Sequence, residues 1–492
     1  MLEYTPNHAN GKIGAKHRQG GRLLVLSNRA PIRIVSERGR RRIEPTVGGV
    51  GATFLRLLER YGGVWIAWSG SKTAPPPLRM PPDAPCFSMV FPPLSERDIS
   101  FYYHGMCNRG LWPLMHLMPQ NCHFRTPHWN TYKSVNALFA EVTSTNARGD
   151  DRVWIQDFHL ALVPSMLRKS RPALPIGIFW HVPFPPESIL RIFPWRRELL
   201  EGMLGADLIG FHTSDYAEHF VDCCARICDI PVDRRAGLVS WQGRTVRVAS
   251  FPLGIPADYF AGLAQNERVQ ARVRRLKAAL GAPIMVLGVD RLDYTKGILE
   301  RVEGFERFLE LNPAYHKRVA LVQIAVPSRT KVEDYARLKR QLDELVGRVV
   351  GRFSSEGWVP IRYLYTQFGA EELVSYYHAA DVALLTPLRD GMNLVAKEYI
   401  ASRNDDRGAL ILSEFAGAAE ELKEALLINP YDVDAIAGAL KQAVTMSEEE
   451  RRSRMALLRA RVHRNDLDAW SHSFLGALER QNALSHYASA SD

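Results

Sequence analysis

The chain has 492 residues, and its hydrophobic content of 46% and charged content of 24% are those of an ordinary globular protein, which excludes a disordered chain. This length exceeds what a single hydrophobic core supports, so two or three domains are predicted. The formal net charge of +10 suits the capture of small polyanionic substrates. Its basic clusters, at 38–42, 274–277 and 451–452, lack the aromatic interleaving and motifs of nucleic-acid binders, so a solvated surface is favoured and no nucleic-acid partner is expected.

The chain lacks the sequence features of export or membrane insertion. No apolar run approaches the roughly 18 residues that span a membrane, so no membrane partner is expected. Residues 1–20 are polar and basic without an apolar centre, so they are predicted to form a flexible arm rather than a secretory signal. The six cysteines form no disulfide-like framework, which indicates a reducing cytoplasm.

Alternating strands and helices are predicted along the first half of the chain. Most of its short apolar strands end in polar side chains, and they lie at 22–27, 64–68, 153–157, 176–181, 208–212 and 247–251. Helical stretches at 188–204 and 214–228 separate the later strands, which is typical of parallel βαβ units. In open sheets of this kind, ligands bind at the carboxyl ends of the strands. The charged stretch at 35–45 is interpreted as a loop or a hairpin.

A glycine-rich turn, Val47–Ala52, is predicted to open a helix over 53–60. Gly48 and Gly49 would let the backbone approach a phosphate closely at this turn. An ordinary structural turn explains the same residues equally well, so the turn alone is weak evidence for a ligand.

The alternation restarts after a predicted linker, Pro252–Pro256. Strands are predicted at 284–289, 319–326, 361–365, 382–385, 409–412 and 426–428. Helices are predicted at 266–280, 298–311, 332–347 and 370–379, and a long helical region follows at 447–483. The two halves are therefore predicted to be doubly wound α/β domains joined by a linker, and the ligands of such a pair belong in the cleft between them.

Thr386–Ala401 carries the strongest local signal of the second half. A buried strand ends just before it, a turn follows at 389–391, and a helix is predicted from Met392. Such a helix start attracts anions, phosphates above all. Glu398, about two turns further on, is placed to accept a hydrogen bond from a sugar hydroxyl. An ordinary strand–helix junction is the alternative, but polar side chains crowd this one, namely Arg389, Asp390, Asn393, Lys397 and Glu398.

Two cations, Arg291 and Lys296, follow the strand at 284–289. Cations at one strand end suit a diphosphate, because each neutralises separate oxygens. Together with a helix N-terminus they can replace a metal ion in stabilising a departing diphosphate. A pair of ordinary surface residues is the alternative. No metal-binding motif is found, and His219 and Cys223, which share a helix face, are interpreted as buried packing.

Ten segments make the chain recognisable. They are Ser27-Asn-Arg29, Gly48-Gly49, Trp68-Ser-Gly70, Tyr102-Tyr103 with Asn108 and Leu111-Trp-Pro113, Asp157-Phe-His-Leu160, His181-Val-Pro-Phe-Pro185, Arg291-Leu-Asp-Tyr-Thr-Lys296-Gly297, Pro327-Ser-Arg329, Thr386 to Tyr399, and Ser413-Glu-Phe-Ala-Gly417. On these marks the chain resembles the retaining glycosyltransferases that make trehalose 6-phosphate, glycosyltransferase family 20. The resemblance runs from about Arg22 to about Leu478, and the last two segments are long and highly specific.

The resemblance implies an α/β protein of the GT-B fold, in which two Rossmann-like doubly wound domains face a central cleft. The expected division is a flexible arm at 1–20, an acceptor domain at 21–254, a nucleotide-sugar domain at 255–460, and a helix that crosses back with a tail at 461–492. The implied donor is a nucleotide sugar, usually UDP-glucose, and the implied acceptor is glucose 6-phosphate. Neither a cofactor nor a metal ion is expected.

The resemblance also implies roles for particular residues. Arg291 and Lys296 would hold the donor diphosphate, and Asp390 and His181 would position the donor glucose. The remaining donor contacts would be Gly48, Gly49, Phe368 at the base, Gly391, Met392, Asn393, Leu394, Val395, Ala396, Lys397 and, on the ribose, Glu398. The acceptor contacts would be Arg29, Tyr103, Trp112, Asp157 and Arg329, of which Arg29, Tyr103 and Arg329 group on its phosphate. The family has no assigned protein nucleophile, and front-face attack is the favoured account.

Two departures bear on the acceptor. The family commonly has His-Asp-Tyr-His-Leu where this chain has Gln156-Asp-Phe-His-Leu160, and the segment 104–107 is also unusual. Two rival activities stay open: transfer of glucose to glycerol 3-phosphate, and a non-catalytic homologue that senses sugar phosphates. The first half keeps its family marks, which favours glucose 6-phosphate, and the intact donor residues disfavour a non-catalytic homologue. The donor base stays open between UDP, GDP and ADP, and so does a homo-oligomeric state. A trehalose-6-phosphate phosphatase is the expected pathway neighbour.

Overall fold

The structure is a computed structural model of the chain. It describes residues 3–4, 21–37, 40–45, 49–71, 73–81, 84–328 and 332–489. The chain divides into two compact units, Met1–Phe251 with Ser471–Asp492, and Pro252–Trp470. The sequence-based division falls after residues 254 and 460 instead. The predicted arm at 1–20 lies outside the described residues except for Glu3–Tyr4.

The first unit contains strands β1 to β13 in chain order. They are β1 Glu3–Tyr4, β2 Leu23–Arg29, β3 Ile32–Glu37, β4 Arg40–Pro45, β5 Gly63–Trp68, β6 Leu78–Met80, β7 Phe87–Val90, β8 Arg152–Gln156, β9 Ile176–Phe179, β10 Leu208–Phe211, β11 Val232–Asp233, β12 Leu238–Trp241 and β13 Arg244–Ser250. Its helices before the second unit are α1 Gly49–Tyr61, α2 Glu96–Asp98, α3 Trp112–Met115, α4 Thr126–Asn146, α5 Val163–Ser170, α6 Glu187–Leu190, α7 Arg196–Met203 and α8 Ser214–Cys228. A π-helix, Ile99–Leu111, and short 3₁₀ helices at Pro119–Asn121 and Phe158–Leu160 complete this part.

Within the described residues, the main sheet of the first unit has ten strands in the order β11-β12-β13-β10-β9-β8-β2-β5-β7-β6. The strands from β13 to β7 in that order pair in parallel. After β2 the chain winds outward on one side through β5 and later on the other through β8. The winding therefore reverses between β2 and β8, and such a switch point is where open α/β sheets bind ligands.

A small separate sheet of the described residues has the order β1-β4-β3. Strands β3 and β4 pair antiparallel, so the charged stretch at 35–45 is part of a hairpin rather than a loop. Strand β1 pairs in parallel with β4 through Glu3 and Tyr4.

The second unit contains strands β14 Ile284–Arg291, β15 Val319–Val326, β16 Ile361–Leu364, β17 Val382–Leu385, β18 Ala409–Ser413 and β19 Leu426–Ile428. Its helices are α9 Ala257–Gln265, α10 Glu267–Ala279, α11 Ile298–Leu311, α12 Glu333–Phe353, α13 Ala370–Ala379, α14 Leu394–Ser402, α15 Val433–Thr445 and α16 Glu448–Arg464, with 3₁₀ turns at Tyr294–Lys296, Pro313–Tyr315 and Gly417–Glu420. The last helix, α17 Leu467–Ser489, begins in this unit and continues into the first.

All strands described in the second unit pair in parallel, in the order β16-β15-β14-β17-β18-β19. The winding reverses between β14 and β17, because β15 and β16 lie on one side of β14 and the later strands on the other. A hydrophobic core fills one face, where α11, α12 and α15 pack on the strands through side chains such as Phe305, Leu342 and Leu440. The near-continuous apolar strands of this sheet are typical of parallel sheets covered on both faces.

Helix α17 packs against the main sheet of the first unit. The Phe474 ring stacks on the Trp154 ring of β8 with centroids 4.5 Å apart and planes 6° apart. A Cβ at Gly177 or Gly210 would lie 2.8 or 2.7 Å from that phenyl ring. Glycine at these two strand positions therefore lets the helix approach the sheet closely. No helix of the described residues is long and apolar enough to cross a membrane.

Helix α1 begins at Gly49, inside the predicted glycine-rich turn, and α12 continues to Phe353 rather than ending at 347. Three further predicted helices differ from the structure. The stretch 188–204 forms two short helices, because Pro194 between them lacks a backbone N–H and cannot continue a helix. The region 447–483 breaks at 465–466, where the backbone N–H of Leu467 donates to Ile255 O at 3.2 Å instead of continuing α16. The third difference, at the start of α14, lies in the candidate site.

Candidate functional site

Candidate ligand residues of the second unit lie at its switch point. Arg291 is the last residue of β14 and is exposed, and β17 ends at Leu385 immediately before Thr386. Because both strands are parallel, their carboxyl ends open on the same edge of the sheet. The segments that the sequence singled out therefore meet here.

The turn that carries Lys296 is held by a buried carboxylate. Asp293 Oδ1 accepts hydrogen bonds from the backbone N–H of Thr295 at 3.1 Å and from its hydroxyl at 3.0 Å. The Tyr335 hydroxyl donates to the other carboxylate oxygen at 3.1 Å. Asp293 caps its own turn and also binds Tyr335 of α12. It therefore fixes the 3₁₀ turn and the backbone from which the Lys296 side chain extends.

Gly297 joins the two segments of the site by close backbone contact. Its φ is +58°, and a Cβ there would lie 1.9 Å from the carbonyl oxygen of Thr386. The Thr386 hydroxyl donates to Gly297 O at 2.7 Å. Both the left-handed conformation and the close approach require glycine.

Gly297→Ala is therefore expected to lower the free energy of unfolding by more than about 3 kcal/mol, because the new methyl group must displace backbone as well as adopt a positive φ. Urea unfolding of the purified protein measures this. Gly347→Ala is the matched control, since Gly347 lies in α12 and a Cβ there meets nothing within 4 Å. That control is expected to raise stability by about 0.5–1 kcal/mol. Equal effects of the two substitutions would contradict this account.

An ion pair joins Lys296 to Asp390. The Lys296 ammonium lies 2.6 Å from Asp390 Oδ2, and the two side chains are only 11% and 14% exposed. Asn393 Nδ2 donates to the same carboxylate oxygen at 3.1 Å. The backbone of Asp390 is fixed by hydrogen bonds to Phe415 and Gly417. Partial burial strengthens this pair relative to a surface ion pair, because the effective dielectric constant around it is lower.

The helix of the site begins two residues later than predicted. Asn393 has φ +75° and is the N-cap of α14, with its Oδ1 accepting from the Ala396 N–H at 3.1 Å. Met392 and Asn393 therefore precede the helix instead of lying in it. Asparagine suits the N-cap because it tolerates the left-handed conformation and its side chain satisfies an N–H of the first turn. The sequence-predicted donor residues thus divide between the turn, Gly391 to Asn393, and the start of α14, Leu394 to Glu398.

Glu398 has an unusual electrostatic environment. The Tyr377 hydroxyl donates to its Oε2 at 2.8 Å. Burial raises the pKa of the Glu398 carboxyl to about 7, although the hydrogen bond from Tyr377 acts in the opposite direction. Phe368 lies in the loop before α13, with its ring centroid 5.1 Å from that of Tyr376. Tyr377 was not singled out by the sequence, because only the packing of α13 on α14 brings it to Glu398.

Lys397 turns its ammonium into the unit. The side chain is 0% exposed and forms an ion pair with Glu421 Oε2 at 3.1 Å. It also donates to the carbonyl oxygen of Leu253 at 2.7 Å. Burial lowers the pKa of Lys397 against the opposing effect of Glu421. Any donor contact at this position would therefore be made by its backbone.

Another buried ion pair joins α11 to β14. Arg301 Nη1 donates to Asp290 Oδ2 at 2.5 Å and to Gln323 Oε1 at 3.1 Å. Burial raises the pKa of Asp290, against the favourable charges of Arg301 and Lys296. Sequence reasoning missed this pair, and the signal available was the polar residue Asp290 directly before Arg291.

Arg29 ends β2 at the switch point of the first unit. It is exposed, and its guanidinium lies over the Trp68 ring at 5.2 Å from the centroid. Gly70 has φ +85°, and a Cβ there would lie 2.5 Å from Arg29 Nη2. The tryptophan face orients the guanidinium, and glycine leaves room for it.

The π-helix places Tyr103 next to Trp68, the ring that the Arg29 guanidinium covers. The Tyr103 ring lies 6.0 Å from the Trp68 ring and stacks at 6.2 Å on His159. The preceding Tyr102 is buried, and its hydroxyl donates to Asn28 Oδ1 at 2.9 Å. π-Helices of this kind are rare and frequent at functional sites. The sequence pattern did not reveal it.

Asp157 follows β8 across the switch point from Arg29. Its φ is +72°, which is uncommon for a residue other than glycine. Its Oδ1 accepts a hydrogen bond from the backbone N–H of His181 at 3.1 Å, and its Oδ2 lies 3.7 Å from His159 Nδ1. A strained backbone held by such contacts is typical of functional sites.

His181 follows β9, next to Asp157. Its Nε2 and Gln156 Oε1 are 2.8 Å apart, and burial lowers the pKa of His181 to about 3. Trp112 is 6% exposed and packs on His116, with centroids 4.2 Å apart. Of the remaining predicted residues, Gly49 is the first residue of α1, whereas Gly48 and Arg329 lie outside the described residues.

Two groups of sequence-predicted residues are thus brought together, each within one unit. The second unit joins Lys296, Asp390 and Asn393 beside the end of β14, and the first joins Arg29 with Tyr103, and Asp157 with His181, around one switch point. No group of three His, Cys, Asp or Glu side chains with the spacing of metal ligands occurs among the residues that the structure describes.

Comparison with known proteins identifies similar chains. The Glycosyltransferase family 20 model matches residues 21–480. The chain is 41% identical over 478 residues to the trehalose-6-phosphate synthase of Mycolicibacterium vanbaalenii, a match that covers 94% of this chain and 97% of that protein. It is also 41% identical over 468 residues to the bifunctional trehalose-6-phosphate synthase/phosphatase of Thermoproteus tenax, covering 93% of this chain but 63% of that longer relative.

Solved structures are similar along nearly the whole chain. A UDP-forming synthase from Burkholderia xenovorans, in complex with glucose-6-phosphate, matches with a TM-score of 0.85 at 34% identity and covers 93% of this chain and 100% of that one. A structure from E. coli, bound with UDP-2-fluoro glucose, matches with a TM-score of 0.85 at 36% identity and covers 93% of this chain and 99% of that one.

Proposed function

The chain belongs to glycosyltransferase family 20, and we propose that it transfers glucose from UDP-glucose to glucose 6-phosphate with retention of configuration, giving trehalose 6-phosphate and UDP. Its two doubly wound units have the GT-B fold. The observation that carries the proposal in this chain is the Lys296–Asp390 ion pair beside Arg291, at the switch point of a parallel sheet.

The second unit binds the donor in this proposal. Arg291 and Lys296 hold the diphosphate, and Asp390, whose carboxylate already orients Lys296, positions the donor glucose. The turn and the start of α14 supply backbone N–H groups, and Phe368 lies against the base. Glu398 accepts from the ribose, and Gly48 and Gly49 approach the diphosphate from the first unit. Bidentate and charge-assisted hydrogen bonds to phosphate oxygens are the strong ones in such sites.

The first unit binds the acceptor. Arg29, Tyr103 and Arg329 hold its phosphate, while Asp157 and Trp112 contact the sugar. His181 contacts the donor glucose from a position fixed by the hydrogen bond of its backbone N–H to Asp157.

Trehalose 6-phosphate is a phosphate monoester, so the enzyme class that consumes it is a phosphatase. The cysteines of the described chain are all free thiols, which fits the proposed cytoplasmic location.

The transfer proceeds at the front face of the donor sugar. The bond from C1 to the diphosphate oxygen breaks as the acceptor hydroxyl bonds to C1 from the same side. The acceptor proton passes to the departing diphosphate, whose negative charge is stabilised by Arg291 and Lys296. Preorganised cations that meet charge as it develops are the largest single contribution in many enzymes. No protein side chain needs to act as base or nucleophile.

A product assay tests the proposed function. The purified protein is incubated with UDP-, GDP- or ADP-glucose, each crossed with glucose 6-phosphate and glycerol 3-phosphate. The expected result is trehalose 6-phosphate, formed fastest from UDP-glucose. A glucosylglycerol phosphate as the main product would assign the rival acceptor, and no transfer in any combination would refute the proposed activity.

The pH dependence of donor binding tests the role of Glu398. Because its carboxyl has a pKa of about 7, it is protonated below that pH and loses the negative charge that strengthens its hydrogen bond from the ribose. The KM for the donor is therefore expected to rise as pH falls from 8 to 6. Glu398→Gln is expected to raise this KM about 10- to 100-fold at pH 8, the range for one charged hydrogen bond, and to remove the pH dependence.

The stability of the fold is expected to depend on pH in the opposite direction to donor binding, so that it falls as pH rises. The native pKa of about 7 exceeds the ordinary value of 4.5, so the contribution of Glu398 to stability is fully present below the ordinary value and is lost as pH rises through the native one. Glu398→Gln should therefore stabilise the fold at pH 8 more than at pH 5, as thermal unfolding would measure. A destabilised variant with unchanged donor KM would contradict the assignment.

A further inference from the structure

Gln156, a departure from the common family pattern, directly contacts His181. Gln156 is the last residue of β8 and pairs with Phe179 of β9. Phe179 in turn precedes His181 by two residues. Its side chain is buried, with 4% of its surface exposed. The two side chains therefore leave neighbouring parallel strands at the same edge, and their polar atoms, Gln156 Oε1 and His181 Nε2, are 2.8 Å apart.

The contacts of the amide define which atom faces the imidazole. Gln156 Nε2 lies 3.5 Å from the carbonyl oxygen of Trp154, to which it donates. The opposite orientation would place the amide oxygen against that carbonyl oxygen. With the amide oxygen facing the ring, His181 Nε2 must carry the hydrogen, because an oxygen acceptor requires a donor at this distance.

Further contacts also hold the histidine in place. The backbone N–H of His181 donates to Asp157 Oδ1 at 3.1 Å, and its carbonyl accepts from His212 Nε2 at 3.1 Å. The His181 ring packs on Phe179 at 4.6 Å and on His212 at 5.4 Å. Two titratable groups therefore contact His181, namely Asp157 through the backbone N–H and His212 through its ring.

We propose that Gln156 is a positioning residue that holds the His181 imidazole in the neutral tautomer with hydrogen on Nε2. An amide oxygen does not titrate, so this arrangement is the same at every pH at which the protein works. A carboxylate at position 156 would instead favour the imidazolium cation, and a histidine there would change between donor and acceptor as it titrates. The glutamine therefore makes the donor-sugar contact of His181 independent of pH. This inference rests on the proposed function only in the role it gives His181.

The first test is the tautomer itself, in the wild-type protein. The ¹⁵N resonances of histidine-labelled protein distinguish the Nε2–H tautomer, the Nδ1–H tautomer and the cation, and His181→Asn identifies the signals of this residue. The expected result at pH 7 is a neutral ring with hydrogen on Nε2. A ring protonated on Nδ1, alone or as the cation, would overturn the proposal. This readout needs no enzymatic activity, so it stands whether or not the proposed transferase activity is found.

The second test changes the partner. In Gln156→Glu the carboxylate is expected to convert His181 to the cation near neutral pH, and the ratio of its kcat/KM to that of the wild type is expected to fall about tenfold from pH 8 to pH 6. Taking the ratio removes titrations shared with the wild type, including that of the substrate phosphate. Gln270→Glu is the matched control, since Gln270 lies in α10 and donates to Ala264 O at 2.6 Å. It should leave both the ratio and the His181 signals unchanged.

Opposite results in the variants would overturn the proposal as well. A flat ratio together with unchanged His181 resonances in Gln156→Glu would mean that residue 156 does not control the ring. If that variant fails to fold, Gln156→Leu provides the comparison. Loss of the Nε2–H preference with a lower kcat and an unchanged acceptor KM supports the positioning role. An unaltered tautomer in that variant contradicts it.

Discussion

Lys296→Ala is expected to lower kcat/KM for the donor about 1000-fold, because the charge of the departing diphosphate loses a preorganised cation. The ammonium is placed by the Asp293-capped turn on one side and by Asp390 at 2.6 Å on the other, so it needs no reorganisation as the bond to the diphosphate breaks. The substitution also removes the Lys296 ammonium from Asp390, to which Asn393 still donates. Steady-state kinetics with UDP-glucose measures the loss.

Lys277→Ala is the control for this substitution. Lys277 also forms an ion pair with an aspartate of the second unit, at 3.3 Å from Asp381 Oδ1, but its side chain is 45% exposed. Exposed pairs contribute about 0–1 kcal/mol to stability, so activity should be unchanged. If Lys296→Ala keeps kcat/KM within about fivefold of the wild type while remaining folded, the diphosphate is bound elsewhere.

Arg29→Ala is expected to raise the KM for glucose 6-phosphate about 100-fold and leave the donor KM unchanged, since each charged hydrogen bond to a phosphate contributes about 1.5–3 kcal/mol. The guanidinium is preoriented over Trp68 and accommodated by Gly70, so little conformational freedom is lost on binding. Competition between glucose 6-phosphate and glucose as acceptors provides a second readout. The variant should lose most of the preference for the phosphorylated sugar.

The matched control for Arg29 is Arg60→Ala. Arg60 also lies over an aromatic ring of the first unit, that of Tyr61 at 5.6 Å, but at the end of α1 rather than at a strand end of the switch point. Both KM values should stay at their wild-type levels in this control. An Arg29 variant that weakens donor and acceptor equally would indicate a general loss of structure instead of a phosphate contact.

The fold class predicted from the sequence, α/β with two doubly wound GT-B domains, is confirmed by the two parallel sheets and the similar solved structures. Hydrophobic periodicity predicts the bounds of a helix correctly where the helix has one apolar face and clear end signals. This holds for α8 and α11, whose bounds match the prediction. The predicted helix 188–204 is wrong, because Pro194 interrupts it. The π-helix at Ile99–Leu111 gave no comparable signal, because its period differs from that of an α-helix.

Individual residues of the candidate site could be predicted from the sequence, but the contacts between them could not. Lys296 and Asp390 stand out because each follows a strand, yet they are 94 residues apart in sequence and meet only through the order of β14 and β17. The bonds from Tyr377 to Glu398 and from Gln156 to His181 likewise depend on which elements pack together. The roles that these residues would have in catalysis stay predictions.

The carbonyl of Leu253 limits how this chain can be divided or recombined. The carbonyl accepts from the buried ammonium of Lys397, the residue before Glu398 in α14. A fragment beginning at residue 255 would remove that acceptor and leave Glu421 as the remaining partner of a charge with no access to water. A donor-binding fragment, or a chimera that exchanges nucleotide specificity between relatives, should therefore begin no later than Pro252. Leu253 precedes residue 255, the start predicted for this domain from the sequence, yet its carbonyl binds a charge in the interior of the unit.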